Sequence, residues 1–175
     1  ANAYLNELCA KGNNPEPAEL LDQLKSKITN ELSQRGEKGG SKDGMDISLI
    51  RLSKNGKAKW CGANNPLWLV NNESQLSEIR GDKQPIGAFQ FSEPFADHDV
   101  ELNSGDMFYL FSDGFQDQFG GVKGKKFKTG NFKKLLCQIH SENVDSQAKR
   151  LRVELEKWAG DIEQVDDICV VGIRV

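Results

Sequence analysis

The sequence predicts an α+β fold in which helices pack on antiparallel sheet, and three patterns predict it. Apolar residues recur at helical spacing near both ends of the chain. Short alternating or wholly apolar segments fill the middle, separated by Asn-, Gly- and Pro-rich turns. Strands and helices come in blocks, without strict alternation. That order argues against a doubly wound nucleotide-binding fold, and no Gly-x-Gly-x-x-Gly or Walker-type loop is present to argue for one.

The elements follow in order. Tyr4-Leu5-Asn6-Glu7-Leu8 reads as the tail of a helix that Gly12-Asn13-Asn14-Pro15 stops. From Glu16 to about Arg35, Leu20, Leu24, Ile28 and Leu32 recur every fourth residue with Leu21 beside them, an apolar stripe facing a core. Arg35 to Lys42 is Gly-rich, charged and aperiodic, hence a connecting loop. Asp46 to Leu52, Ala58 to Ala63, Leu67 to Val70 and Leu76 to Ile79 then read as strands of an antiparallel meander, parted by Ser-Lys-Asn-Gly, Asn-Asn-Pro and Asn-Asn-Glu-Ser turns.

Val100 to Leu102 and Met107 to Phe111 read as two further strands joined by the Asn103-Ser104-Gly105-Asp106 turn. The second is apolar on both faces, as a buried strand should be. Helices return at Phe132 to His140 and at Val144 to Trp158, where Ala148, Leu151, Leu155 and Trp158 share a face before Gly160 closes the segment. Ile168 to Val175 is a β-branched final strand. Collected, one domain carries helices over 1–35, a loop over 36–45, strands over 46–114, helices over 131–159 and the last strand over 166–175.

Composition narrows the function. A chain of 175 residues, 37% hydrophobic, suits a single domain with a core of ordinary size. With 23 basic and 26 acidic side chains the net charge is -3, too weak a field to draw the whole protein to nucleic acid or an anionic membrane. Cys9, Cys61, Cys137 and Cys169 are scattered, form no Cys-x-x-Cys pair, and have only His98 and His140 to join them, which argues against a zinc finger. Cys61 and Cys169 lie in apolar runs and read as small hydrophobes. Reduced cysteines, no secretory pattern and no apolar run near the roughly 20 residues that span a bilayer make the expected location cytoplasmic.

Two carboxylate clusters carry the chemistry. Met107-Phe108-Tyr109-Leu110-Phe111 delivers Ser112-Asp113-Gly114, where glycine permits a sharp turn beside a cleft, and Gln164-Val165-Asp166-Asp167 precedes the terminal strand. Adjacent carboxylates repel, so a cation between strand ends would explain them. Oxygen donors without matching His or Cys favour Mg2+ or Mn2+ over Zn2+. Local chemistry alone leaves a second reading open, in which Asp113-Gly114 is a plain turn and Asp166-Asp167 is solvated. Gly120-Gly121-Val122-Lys123-Gly124-Lys125-Lys126 lacks the ending of a phosphate loop. With Lys128 it reads as a basic flap whose charges are solvated, the alternative being a flap near Asp113 that meets an acidic substrate surface.

Leu110-Phe111-Ser112-Asp113-Gly114-Phe115-x-Asp117, followed by Gln164-Val165-Asp166-Asp167-Ile168-x-Val170-Val171, resembles the last two signatures of the type 2C (PPM) metal-dependent phosphatases. More narrowly it is similar to the bacterial branch of stage II sporulation protein E and the regulators of sigma factor B. Asp43-Gly44-Met45-Asp46, Gly62-Ala63-Asn64-Asn65-Pro66 and Gln84-Pro85-Ile86-Gly87 match further landmarks in the family's order. The resemblance implies a central β-sandwich flanked by helices (α-β-β-α layers) with a binuclear Mn2+ or Mg2+ centre. It makes Asp113 and Asp166 direct metal ligands and gives Asp167 a supporting or water-mediated role.

The implied reaction is hydrolysis of phosphoserine or phosphothreonine by a metal-activated water, with no protein nucleophile as catalytic residue. The implied substrate is a phosphorylated regulatory protein such as an anti-sigma factor antagonist, and the implied context is a polypeptide with an upstream sensory region. The family's first signature, an Asp-Gly followed by Gly-His-Gly, does not occur, and the chain opens without methionine at Ala1-Asn2-Ala3-Tyr4. The expectation is therefore an N-terminally truncated domain, feeble as a phosphatase by itself and prone to self-association through unpaired edges, as in a homodimer. A catalytically silent phosphatase-like interaction module is the alternative.

Overall fold

The computed structural model describes residues 2–10, 15–34, 44–53, 57–87 and 93–175. The Gly12-Asn13-Asn14 turn, the segment from Arg35 to Lys42, Asp43 and Lys54-Asn55-Gly56 lie outside them, as does the side chain of Leu32. The described chain is mixed helix and antiparallel sheet and divides into two compact units. The first takes residues 1–67 and 79–102, the second 68–78 and 103–175.

In the first unit, helices α1 (Asn2–Ala10) and α2 (Pro17–Gln34) precede strands β1 (Ile47–Leu52), β2 (Ala58–Ala63) and β5 (His98–Val100). Pro17 opens α2, where the missing N–H costs nothing and the ring presets the helical φ. The sheet order is β1-β2-β5, with β1 antiparallel to β2 from Ile47↔Ala63 to Leu52↔Ala58 and β2 antiparallel to β5 from Ala58↔Val100 to Trp60↔His98. The α2 stripe packs on this sheet: Leu21 and Leu24 are fully buried with Cys61, Ala63, Ile86 and Phe95, and Ile28 closes over them.

In the second unit, β3 (Leu67–Val70), β4 (Leu76–Ile79), β6 (Met107–Phe111) and β9 (Val170–Arg174) form one sheet in the order β4-β3-β6-β9. Strand β6 is antiparallel to both neighbours, with Trp68↔Tyr109 on one side and Phe111↔Val170 on the other. Helix α3 (Gly114–Asp117) follows β6 at once, then the hairpin β7 (Phe119–Gly120) and β8 (Lys125–Lys126), then α4 (Thr129–Ile139) and α5 (Val144–Ala159). Phe132, Leu135, Leu136 and Ile139 of α4 are buried at helical spacing, and Leu151, Leu155 and Trp158 of α5 pack on the same core.

An aromatic chain runs through this core. Trp68 meets Phe111 at 4.1 Å between ring centroids, Phe111 meets Phe132 edge-on at 5.4 Å, and Phe132 stacks on Phe115 at 4.3 Å and 16°. Phe115 then meets Phe127, and Phe127 meets Trp158, both edge-on at 5.4 Å. Helix α3, too short to hold itself, is fixed in direction by Phe115 within that chain.

Two expectations need correction. The four central segments are not one meander, because β2 pairs in one sheet and β3 in another. The ladder stops at Ala63, where Asn64 turns with a left-handed φ of 59° and gives its amide to Asp82 O. The strand expected at Val100 to Leu102 lies at His98–Val100, because Asn103 gives its amide to Asp106 Oδ2 and draws the following residues out of the ladder. The glycine-lysine flap folds into β7 and β8, paired Phe119↔Lys126 and Gly120↔Lys125, and its lysines are exposed.

Replacing Phe132 by Ala removes a fully buried ring with three aromatic neighbours, and urea unfolding should register a loss of about 3–5 kcal/mol. The thiols give a second check. Cys61 is fully buried, and burial, with the carboxylates of Asp82, Asp97 and Asp22 adding to it, pushes its thiol up to about 12. Burial also raises Cys137. At about pH 8 iodoacetamide should label exposed Cys9 and Cys169 promptly, Cys137 slowly and Cys61 only on unfolding. Mass spectrometry of the native protein reads this, and prompt labelling of Cys61 would contradict the described core.

Candidate metal centre

The end of β6 is joined to the segment before β9 by one side chain. Ser112 continues the ladder by giving its amide to Cys169 O at 2.9 Å. Its hydroxyl then donates to Asp167 O at 2.7 Å and accepts from the Cys169 amide at 2.9 Å. Gly114 completes the approach: a Cβ there would lie 2.5 Å from Asp167 O, closer than side-chain carbons come to a carbonyl oxygen. The two acidic clusters picked out in the sequence are thus held together by backbone and hydroxyl contacts.

The three carboxylates differ in their commitments. Asp113 caps α3 through its backbone, whose carbonyl accepts from Asp117 N at 3.0 Å. Its side chain is exposed and accepts no hydrogen bond from a described residue, and the same holds for the Asp167 side chain. Asp166 is exposed too, and one of its oxygens accepts the Asp167 amide at 2.7 Å. Asp117, within the same signature, is taken up by Lys126 at 2.6 Å. Unclaimed carboxylate oxygens on two adjoining loops suit a hard divalent cation in kind. Among the described residues, however, no group of three or more His, Cys, Asp or Glu side chains converges as a metal sphere. The chain offers donor oxygens on a preset backbone, without a finished cage.

Gln118 is a polar hub that the sequence did not mark. It is 1% exposed, and its amide nitrogen donates to Glu163 O and Phe119 O, each at 3.1 Å. Its backbone carbonyl accepts from Phe127 N at 2.9 Å and from Trp158 Nε1 at 3.0 Å. One residue thereby ties α3, the hairpin root, the end of α5 and the loop leading to Asp166. A glutamine after Asp117 carries no sequence signal for this role, since only burial reveals it. The Ser112 hydroxyl lay inside a recognised signature, and its role follows from the partners it meets.

The other landmarks form a structural knot in the first unit. Met45 and Ile86 exchange backbone hydrogen bonds at 2.9 and 2.8 Å, and Asp82 N donates to Gly62 O at 2.8 Å. Asn64 Nδ2 donates to Asp46 Oδ1 at 2.8 Å. Gly62 and Gly81 both lie against Asn65 O, where a Cβ would come within 2.4 and 2.7 Å. Gln84 is buried, accepts from Lys25 Nζ at 2.8 Å and donates to Glu93 O at 2.7 Å, so its polarity is spent on structure. Lys25 is buried over the Phe95 ring at 5.2 Å, and burial lowers its pKa while Asp22 opposes the shift. Asp43 lies outside the described residues.

Ser112→Ala deletes both hydroxyl bonds at a half-buried position, and about 1–3 kcal/mol of stability should go with them. Gly114→Ala should also loosen the join, by driving a methyl group at Asp167 O. Hydrogen exchange across residues 166–170 is the sensitive readout. Faster exchange at the Cys169 amide in both variants is expected, and unchanged protection in Ser112→Ala would show that the hydroxyl does not hold the loops.

The fold matches solved phosphatase domains. The SiaA-PP2C domain of Pseudomonas aeruginosa superposes with a TM-score of 0.86 at 24% identity, covering 99% of this chain and 66% of that one. A Bacillus subtilis SpoIIE structure with the PP2C phosphatase domain and a fragment of the regulatory domain matches at 0.73 and 15%, covering 98% and 47%. The RsbU and RsbW domains of a Mycobacterium tuberculosis protein match at 0.71 and 17%, covering 98% and 45%. The chain thus spans two thirds or less of each of these structures. No curated protein matches the chain. The family model described as stage II sporulation protein E (SpoIIE) matches residues 2–175, from the first described helix through the Ser112-Asp113-Gly114 and Asp166-Asp167 loops, and the chain therefore belongs to the SpoIIE family.

Proposed function

We propose that this chain belongs to the catalytic domain of a cytoplasmic, metal-dependent protein phosphatase that hydrolyses phosphoserine or phosphothreonine on a regulatory protein such as an anti-sigma factor antagonist. The observation that supports this reading is the Ser112 join, which ties the loop that carries Asp113 to the backbone of the loop that carries Asp166-Asp167, in a chain of the SpoIIE family. Two relatives support the choice of ion: a Bacillus subtilis SpoIIE phosphatase domain was presoaked with manganese, and RsbX was solved in complex with magnesium.

Asp113 and Asp166 would hold the cation directly, and Asp167 would hold it through water or orient its neighbour. When bound, Mn2+ or Mg2+ lowers the pKa of water into the neutral range and stabilises charge on the phosphoryl group. The chain's own part is to keep the two loops together without help from the ion. Ser112 and Gln118 do so through backbone partners, leaving the Asp113 and Asp167 carboxylates and one oxygen of Asp166 unclaimed. A sensory region upstream of the domain would complete the regulatory role.

The test is a manganese titration of the full-length protein on a phosphoserine peptide, with Mn2+ binding followed separately by electron paramagnetic resonance. Turnover should rise with Mn2+. Asp113→Asn should lose at least about 100-fold in turnover together with Mn2+ affinity, and Asp167→Asn about 10-fold. Hydrolysis absent from wild type and variant alike would favour a silent interaction module.

A further inference from the structure

We propose that the β7–β8 hairpin is a preformed docking prong for an acidic segment of the phosphoprotein substrate, set beside the phosphoserine. This rests on the phosphatase reading above and adds to it the chemistry of the partner.

The prong is built rigidly at its root. Phe127 N donates to Gln118 O at 2.9 Å and Lys128 N to Gln116 O at 2.7 Å, which bolts the returning strand to the helix that Asp113 begins. Thr129 Oγ1 adds a bond to Gln116 Oε1 at 2.9 Å, and Lys126 pairs with Asp117. Phe127 is buried between Phe115 and Trp158. On the outgoing side Gly121 N donates to Trp158 O, and Gly120 lies so close that a Cβ would come within 1.9 Å of the same oxygen. Lys128 is held at a left-handed φ of 75°, which an L residue keeps only where its surroundings fix it. A loop that merely carried solvated charge would need none of this.

The tip is the opposite in character. Gly121 and Gly124 turn the chain at φ 67° and 54°, and Val122 between them is fully exposed. Residues 122–128 carry four lysines and no carboxylate in a chain whose net charge is -3. Lys126 is committed to Asp117, whereas Lys123, Lys125 and Lys128 are exposed and pair with no carboxylate among the described residues. A rigid prong with a bare apolar tip and unpaired cations loses little conformational entropy on binding and selects an acidic partner. The partner is a protein and not an extended polyanion. Asp161 and Glu163 lie exposed and without an ion-pair partner among the described residues on the segment that meets the root through Gln118, and a bilayer or nucleic acid wide enough to engage the lysines would meet them with like charge.

The experiment uses the full-length protein and four probes: a phosphoserine peptide followed by an Asp/Glu run, the same peptide with a neutral flank, p-nitrophenyl phosphate, and phosphatidylserine vesicles. The variants are Lys123→Glu alone and the combination Val122→Asp, Lys123→Glu, Lys125→Glu. By fluorescence anisotropy wild type should prefer the acidic peptide, and the combined variant should weaken it about tenfold, less at high salt, with the single variant intermediate. Binding of the neutral-flank peptide, turnover of p-nitrophenyl phosphate and melting temperature should stay as in wild type. Equal binding of both peptides by wild type overturns the proposal. So does a combined variant that keeps the preference, or one whose only loss is binding to phosphatidylserine vesicles. Failure of wild type to turn over p-nitrophenyl phosphate would strike the phosphatase reading instead, and anisotropy would still decide the prong.

Discussion

The second unit depends on how the chain satisfies its backbone polar groups where strand β6 ends. A strand that stops beside a neighbour leaves amides and carbonyls in need of partners. Ser112 supplies them from a single residue: its amide meets Cys169 O, and its hydroxyl serves Asp167 O and Cys169 N together. The spacing of the two acidic loops is therefore set by sheet geometry, and no carboxylate is spent in setting it. The aromatic chain from Trp68 to Trp158 supplies the remaining constraint by fixing α3 through Phe115. Asp113 owes its position to hydroxyl bonding on one side and ring packing on the other.

Much of this was legible in the sequence, for identifiable reasons. Met107–Phe111 is apolar at consecutive positions, which only a strand covered on both faces tolerates, and it lies between β3 and β9. The α2 stripe needed nothing beyond helical spacing, and Leu21 and Leu24 are fully buried as it required. Asp113 and Asp166-Asp167 were singled out as candidates because strand-end carboxylates in a recognisable order stand out. Their closeness could be expected only from the resemblance.

The remainder was hidden for physical reasons. Alternation along a strand reports which face is covered and says nothing about the partner strand, so the division of β2 and β3 between two sheets could not be read. The switch rests on Asn64 at positive φ and on an amide given to Asp82, a pairing between distant residues. Gln118 and Lys25 are polar side chains that the fold buries, against their usual preference, and only tertiary partners justify it. The β7–β8 hairpin was obscured by its glycines, which signal turns without revealing that Trp158 is the surface they fit against.

The last strand has a consequence for how the molecule is made. Strand β9 pairs with β6, Arg174 reaches back to the carbonyls of His140 and Glu142, and the Val175 carbonyl accepts from Gly105. The Ser112 and Cys169 partners stand 57 residues apart, with three helices between them in sequence. During synthesis β6 must emerge, and α4 and α5 must form, while one edge of β6 has no strand to cover it. The two acidic loops can meet only once the β9 segment has emerged as well, so a nascent chain, or one clipped before β9, keeps its carboxylates but not their arrangement. The addition of β9 beside β6 is itself the step that assembles the candidate centre.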